Sequence, residues 1–429
     1  MAAGGDEAGP RTGRSRAVRT ETEMNASSYR WVIVAAGGLL GCLAIGAMFS
    51  LPVFILPISQ DTGWSRTGIS SAMTIGFIAM AFGSMGWGAL SDRLGSRAVV
   101  MFGSVMLGAS LALASRATSL LAFQLIFGLA VGGAAAAIFA PMMACVTGWF
   151  DTNRSLAVSL VSAGMGMAPI VISPLAARLV TFYDWRTSML MIAALAAIVM
   201  IPASLLVRRP PALERESVAA SPGAEPQSAM SRGQALKSPQ FIILALTNFL
   251  CCATHSGPIF HTVSYAVSCG IPLVAAVSIY SVEGLAGMGG RIAFGILGDR
   301  FGAKRVLVLG LLAQAFGALA YFFVRELSAF YAVATIFGFI YAGVMPLYAV
   351  LARENFPLRM MGTVIGGTAM AASLGMAIGP LAGGLIYDSS GGYGWLYLGA
   401  WGVGLGAFLI SLTFRPFPRE QAALAPASA

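Results

Sequence analysis

The chain has 429 residues, 57% of them hydrophobic and only 10% charged, with a formal net charge of +9. Soluble domains carry roughly 25% charged residues, so this composition excludes a water-soluble globule and describes an integral membrane protein. The basic excess suits anionic lipid rather than nucleic acid.

Residues 1–28 are polar and basic (Arg11, Arg14, Arg16, Arg19), lack apolar periodicity, and read as a disordered cytoplasmic tail. Twelve apolar runs follow, each long enough to cross a bilayer as a helix. They fall at 31–58, 68–90, 98–115, 119–147, 155–181, 187–207, 240–269, 272–297, 305–324, 328–351, 362–386 and 394–413. Residues 208–239, rich in Pro, Ser, Ala and Glu, read as a flexible cytoplasmic linker. It divides the chain into six-span halves over 29–207 and 240–415, with a second cytoplasmic tail at 416–429. Arg66, Arg116, Arg178, Arg186 and Arg325 fall on one side of the membrane, Arg291 lies within a span, and the remaining 20 of the 26 Lys and Arg residues fall on the other. That asymmetry puts both termini in the cytoplasm of a multi-pass protein of the inner or plasma membrane.

The halves repeat one another. Gly88-Ala-Leu-Ser-Asp92-Arg93-Leu-Gly95-Ser-Arg97 after span 2 returns at an offset of 207 residues as Gly295-Ile-Leu-Gly-Asp299-Arg300-Phe-Gly302-Ala-Lys304 after span 8. Gly164-Met-Gly-Met-Ala-Pro169 in span 5 returns as Gly375-Met-Ala-Ile-Gly-Pro380 in span 11, offset by 211. Matched landmarks at nearly one offset describe a duplicated six-helix unit, the parallel-repeat plan of one transporter class.

The doubled G-x-L-x-D-R-x-G-x-R/K loop, the twelve spans and the central linker resemble the major facilitator superfamily over about residues 30–415. The resemblance implies an all-α fold of two pseudo-symmetric six-helix bundles that rock about a central cavity. Spans 1, 2, 4, 5, 7, 8, 10 and 11 would line it, with 3, 6, 9 and 12 outside. It also implies a conformational latch at the loop motifs, formed by Asp92, Arg93 and Arg97 and by Asp299 and Arg300. In physical terms a carboxylate there answers the positive N-terminal end of a neighbouring helix, and Arg pairs with it.

Span 8 carries two charges, Glu283 and Arg291. A charge at membrane depth costs from about 2.5 to more than 10 kcal/mol, so each needs a partner, water or a substrate. Arg291 lies eight residues before Asp299, about 12 Å along a helix at 1.5 Å per residue. Its guanidinium keeps its charge and matches a carboxylate as a planar fork. Gly290-Arg291-Ile-Ala-Phe-Gly295 is similar to the monocarboxylate transporter and oxalate/formate antiporter branch, whose span-8 Arg binds the substrate carboxylate. Proton-linked animal members also carry an Asp four residues before that Arg. Here that position is Gly287, and Glu283 is the substitute for proton coupling, about 12 Å from Arg291 and 80° around the helix, at the other end of one cavity.

His255 lies near the middle of span 7 beside Gly257-Pro258, a pair expected to break the helix, and is a candidate to bond substrate or share a proton. Tyr341 at the centre of span 10 offers a hydroxyl to a carboxylate. The five cysteines sit in apolar runs without metal spacing, and no phosphate-cradling loop or nucleophile–His–acid arrangement occurs, so neither cofactor, metal nor enzymatic activity is expected. The chain reads as a secondary transporter, expected as a monomer. It would move a small organic anion, a monocarboxylate by resemblance, by proton coupling or anion exchange. The alternative is an exporter of hydrophobic or cationic compounds with Glu283 as the recognition charge.

Overall fold

The computed structural model describes residues 11–211 and 230–416; the first ten residues, 212–229 of the linker and the end of the C-terminal tail lie outside that description. Among the described residues all regular structure is helical. Eleven spans are long and apolar enough to cross a membrane, and the twelfth, span 8, is the 29-residue helix Leu273–Phe301 with its two internal charges. The first helix, Arg11–Phe49, starts well before the expected span and runs through 11–28, a segment the sequence leaves without regular structure. No Gly or Pro interrupts the chain from Arg14 to Ala36, so nothing local stops the helix from extending.

Two spans break just before a proline. Span 1 is split at Ser50, with Pro52 in the first turn of the second piece, Leu51–Thr62. Span 5 is split at Met167, with Pro169 in the first turn of Ala168–Phe182. In a first turn the missing N–H of Pro is not needed. Span 7 differs from expectation: Pro239–Ser268 is one continuous helix with Pro258 inside it. Packing keeps it continuous, since Gly257 lies against Leu396, and Gly379 of span 11 lies against the Ser256 and Gly257 backbone.

The repeat is visible in the backbone. Gly95 and Gly302, matched in the two loop motifs, have φ of 88° and 89° with extended ψ, a region that side chains avoid. Gly164 packs span 5 onto Gly38 of span 1, and its counterpart Gly375 packs span 11 onto span 7 at Phe249 and Cys252. Each bundle is therefore built the same way, with small residues setting close helix approach.

The bundles meet mainly toward the face that carries the linker. A Cβ on Gly88 of span 2 would fall 2.1 Å from the Gly362 carbonyl oxygen of span 11, and Gly295 of span 8 lies against Ser159 and Leu156 of span 5. Toward the opposite face, the outer pieces of spans 1 and 5, Leu51–Thr62 and Ala168–Phe182, pack chiefly against their own bundle. The result is closed at the linker face and parted at the far face.

Alanine at Gly95 or Gly302 is expected to cost about 1–3 kcal/mol through the backbone alone. Each variant should melt earlier in detergent by differential scanning fluorimetry; one that melts with the parent removes the case for an enforced positive φ.

Candidate functional site

A cavity of about 890 Å³ lies between the bundles, walled by spans 1, 4, 5, 7, 8, 10 and 11. Spans 3, 6, 9 and 12 contribute no wall residue, the division that the resemblance implies. Span 2 departs from that expectation: it is engaged against span 11 through Ser84, Gly88 and Gly366.

Arg291 is half-buried at the wall of this cavity. Its Nε donates to the Ser162 hydroxyl of span 5 at 3.1 Å, so the guanidinium bridges the two bundles. Glycine makes the room: a Cβ on Gly166 would sit 2.3 Å from Nη1 of Arg291. None of the ion pairs among the described residues involves Arg291, and no Asp or Glu lines the cavity. The glycines that precede it serve backbone packing, with Gly290 against the Phe339 carbonyl and Gly287 against Ala342 and the Gly338 carbonyl of span 10.

His255 and Tyr341 face the same cavity, their rings stacked with centroids 4.8 Å apart and an interplanar angle of 26°. Behind His255, Gln314 of span 9 donates from its amide nitrogen to the Cys251 carbonyl at 2.9 Å, while its oxygen accepts from the Cys251 thiol at 3.3 Å. Those two bonds fix the amide, so the same nitrogen, 3.2 Å from Nδ1 of His255, donates to the ring. The neutral imidazole therefore carries its proton on Nε2. His261 is placed apart, bonded through Nε2 to the Pro380 carbonyl at 3.1 Å.

Glu283 does not share the cavity with Arg291, and the expectation of two ends of one cavity is corrected here. Its side chain is tucked against Gly338 of span 10, and the residue is 1% exposed and absent from the cavity wall. The 80° rotation between the two positions, combined with the absent side chain at Gly338, turns the carboxylate into the bundle instead. Tyr280, Tyr321, Tyr341 and Tyr397 lie within electrostatic range of it. Neither carboxylate oxygen, nor the buried Tyr321 hydroxyl, has a partner at good hydrogen-bond geometry among the described residues, and Tyr321 approaches the carboxylate only as a longer, weaker contact.

At the linker face the two repeated aspartates cap helices of the opposite bundle. Asp92 of span 2 accepts from the backbone N–H of Gly362 (2.7 Å) and Thr363 (2.8 Å), and from the Thr363 hydroxyl, at the start of span 11. Asp299 of span 8 accepts from Ser155 N–H (2.9 Å) and Leu156 N–H (3.0 Å) at the start of span 5. Arg93, Arg97 and Arg300, expected to pair with these acids, are exposed and form no ion pair among the described residues. A residue one step along a helix points about 100° away, and the carboxylates are already satisfied by backbone donors. Arg232, at the end of the linker, approaches Asp92 instead, at 3.9 Å.

Ser162, Gly166 and Gln314 complete the site and were not singled out in the sequence. The only signal for the first two was their place in or beside the duplicated Gly-rich segment of span 5.

Two tests follow the geometry. Gly166→Ala is expected to push the guanidinium off its seat and lower transport turnover at least tenfold without unfolding the carrier; unchanged turnover in proteoliposomes would mean that Gly166 does not hold Arg291. Replacing Asp92 or Asp299 by Asn removes a charged acceptor from two N–H donors, about 1–3 kcal/mol. Spin labels on the linker-face ends of spans 2 and 11 should then show a longer-distance population in the Asp92→Asn protein, and an unshifted distribution rules out a closing role.

The sequence profile described as Major Facilitator Superfamily matches residues 36–368 and 292–428. Monocarboxylate transporter 13 of Rattus norvegicus is 29% identical over 392 residues, covering 91% of this chain and 89% of that one. The oxalate:formate antiporter of Oxalobacter formigenes is 23% identical over 286 residues, or 65% of either chain. Among solved structures, the proton:xylose symporter XylE bound to 6-bromo-6-deoxy-D-glucose superposes with a TM-score of 0.72 at 14% identity, over 91% of this chain and 96% of that one. The human organic anion transporter MFSD10 gives 0.66 at 19% identity, over 89% and 99%. At such identities these two structures speak for the fold alone. With the profile covering nearly the whole chain, and twelve spans in two repeated bundles, the chain belongs to the Major Facilitator Superfamily, a family of membrane transporters rather than enzymes.

Proposed function

We propose that this transporter moves an organic anion, a monocarboxylate, whose carboxylate pairs with Arg291. The observation that carries the reading is a guanidinium at the wall of a cavity that holds no acid among the described residues, with one nitrogen bonded to Ser162 and no ion pair among those residues. Such a group has its charge and its fork free for a ligand. Its similarity to monocarboxylate transporters and to an oxalate:formate antiporter supports the same chemistry.

His255 presents its Nε2–H as a second donor and Tyr341 its hydroxyl as a third, both on the cavity wall. By the excess of Lys and Arg at the linker face, that face is cytoplasmic and the cavity opens outward from the inner or plasma membrane. The Asp92 and Asp299 caps act as the latch of this outward-open state. Rocking to the opposite state breaks both and exposes the same site to the cytoplasm, and one chain suffices for the cycle. Glu283 serves as the proton carrier: its carboxylate is buried beside tyrosines and forms no ion pair among the described residues. The cation-export reading needs Glu283 at the cavity wall, and its burial in the bundle argues against that.

Uptake into proteoliposomes, screened over small carboxylates with and without an inward proton gradient, tests this reading. Arg291→Ala is expected to abolish uptake and Arg291→Lys to retain a fraction, because a point charge replaces the fork. Glu283→Gln should remove the response to the proton gradient while sparing anion exchange. Undiminished uptake by Arg291→Ala would refute the assignment of the anion site.

A further inference from the structure

The two bundles give the cavity two chemically different walls. The C-terminal bundle supplies every charged, imidazole, amide and phenol side chain on the wall, Arg291, His255, Tyr341, Tyr280 and Asn248 among them, set between apolar residues such as Ile259, Phe260, Leu285 and Met376. The N-terminal bundle supplies chiefly Phe49, Phe139, Met143, Met165 and Ile170, with two hydroxyls as its only polar side chains on the wall. Both hydroxyls are already engaged: Ser162 accepts from Arg291 at 3.1 Å, and Ser173 is turned to the Phe49 carbonyl at 3.5 Å. A ligand therefore meets one wall whose few polar side chains are already engaged, opposite a mixed wall that carries the cation and the remaining polar groups.

We propose, resting on the anion reading above, that the cargo is an amphipathic monocarboxylate, a carboxylate joined to an aryl or branched alkyl body, rather than a two- or three-carbon acid. The head meets Arg291 and the C-terminal wall, and the body lies on the N-terminal wall. Three features of the cavity support this. Its volume of about 890 Å³ in this parted state leaves room for a body well beyond five or six heavy atoms. Its apolar wall returns nothing to a ligand that is all head, whereas an aryl body removes apolar surface from water on both partners. A ligand also draws two bundles together only by binding the joined state better than the parted one, and a body long enough to touch both walls does so. Met143 and Met165 on that wall adapt to bodies of different outline, which points to a shape-tolerant class rather than a single compound.

The test uses the full chain in proteoliposomes, with radiolabelled 4-phenylbutyrate, acetate and lactate as cargo and unlabelled 4-phenylbutyramide as the neutral competitor. Apparent affinity for 4-phenylbutyrate is expected to exceed that for acetate and lactate by on the order of 10- to 100-fold, with no competition from the amide. Phe139→Ser, paired with Ile170→Ser in case the first fails to fold, is expected to reduce the preference for 4-phenylbutyrate over acetate at least fivefold. Acetate or lactate carried as well as 4-phenylbutyrate overturns the amphipathic class and leaves the anion reading standing, as does a preference that both serine variants keep. Failure of all three acids to be carried, or equal competition by the amide, removes the anion reading itself.

Discussion

A guanidinium at bilayer depth must be kept charged, seated and open to water at once, and the rest of the site follows from that requirement. Arg291 is seated by a hydrogen bond from its Nε to Ser162 and by the bare backbone at Gly166, both on the opposite bundle. Leaving such a charge in hydrocarbon costs from about 2.5 to more than 10 kcal/mol, a range that a single hydroxyl, at about 1.5–3 kcal/mol for a bond to a charged group, does not cover. Water in the cavity and, in the proposed cycle, the anion make up the remainder. A carboxylate placed permanently beside Arg291 would have solved the same problem, and the wall holds none.

The closure of the linker face uses a second inexpensive device, repeated by duplication. Asp92 and Asp299 each accept from two successive backbone N–H groups that begin a helix of the other bundle. Those N–H groups have no partner within their own helix, so the cap satisfies a need of one bundle with a side chain of the other. The glycines at 88 and 295 let the backbones come near enough for the carboxylates to reach. The copies are not equivalent: the Asp92 side chain is 5% exposed and has Arg232 of the linker at 3.9 Å, whereas Asp299 is exposed and lacks an ion pair among the described residues.

Much of this was legible in the chain, because bilayer thickness and duplication leave marks that need no tertiary information. Twelve long apolar runs, the doubled loop and the depth of Arg291 below Asp299 all rest on length and spacing. What spacing does not carry is which way a side chain turns once helices tilt and pack. Glu283 faces away from Arg291 because Gly338, on another span, leaves a vacancy there. Arg93, Arg97 and Arg300 sit beside the right acids in sequence, yet Arg232 comes nearest to Asp92, from well over a hundred residues away. Gly257-Pro258 reads as a break, but Gly379 of span 11 packs tightly enough to keep that helix whole. Gln314 lies on a span assigned to the outside and still orients His255 from behind. Each of these depends on a neighbour that only the fold brings near.

The magnitudes of the two devices explain how one can govern the other. An aspartate at a helix N-terminus contributes about 0.3–2 kcal/mol through the dipole, with hydrogen bonds to a charged acceptor adding about 1.5–3, so the pair of caps holds the linker face by several kcal/mol. A ligand shifts such a balance only by the difference in its affinity for the two states, and reversing a strongly biased equilibrium takes about 5.5 kcal/mol. A charge pair at Arg291 would not supply that alone, because the arginine is equally available to the ligand while the far face is parted. In the proposed closure, contact with the second wall changes, since the outer pieces of spans 1 and 5 pack chiefly against their own bundle. In the proposed cycle, recognition of the head therefore selects the cargo, and burial of the body distinguishes a loaded carrier from an empty one.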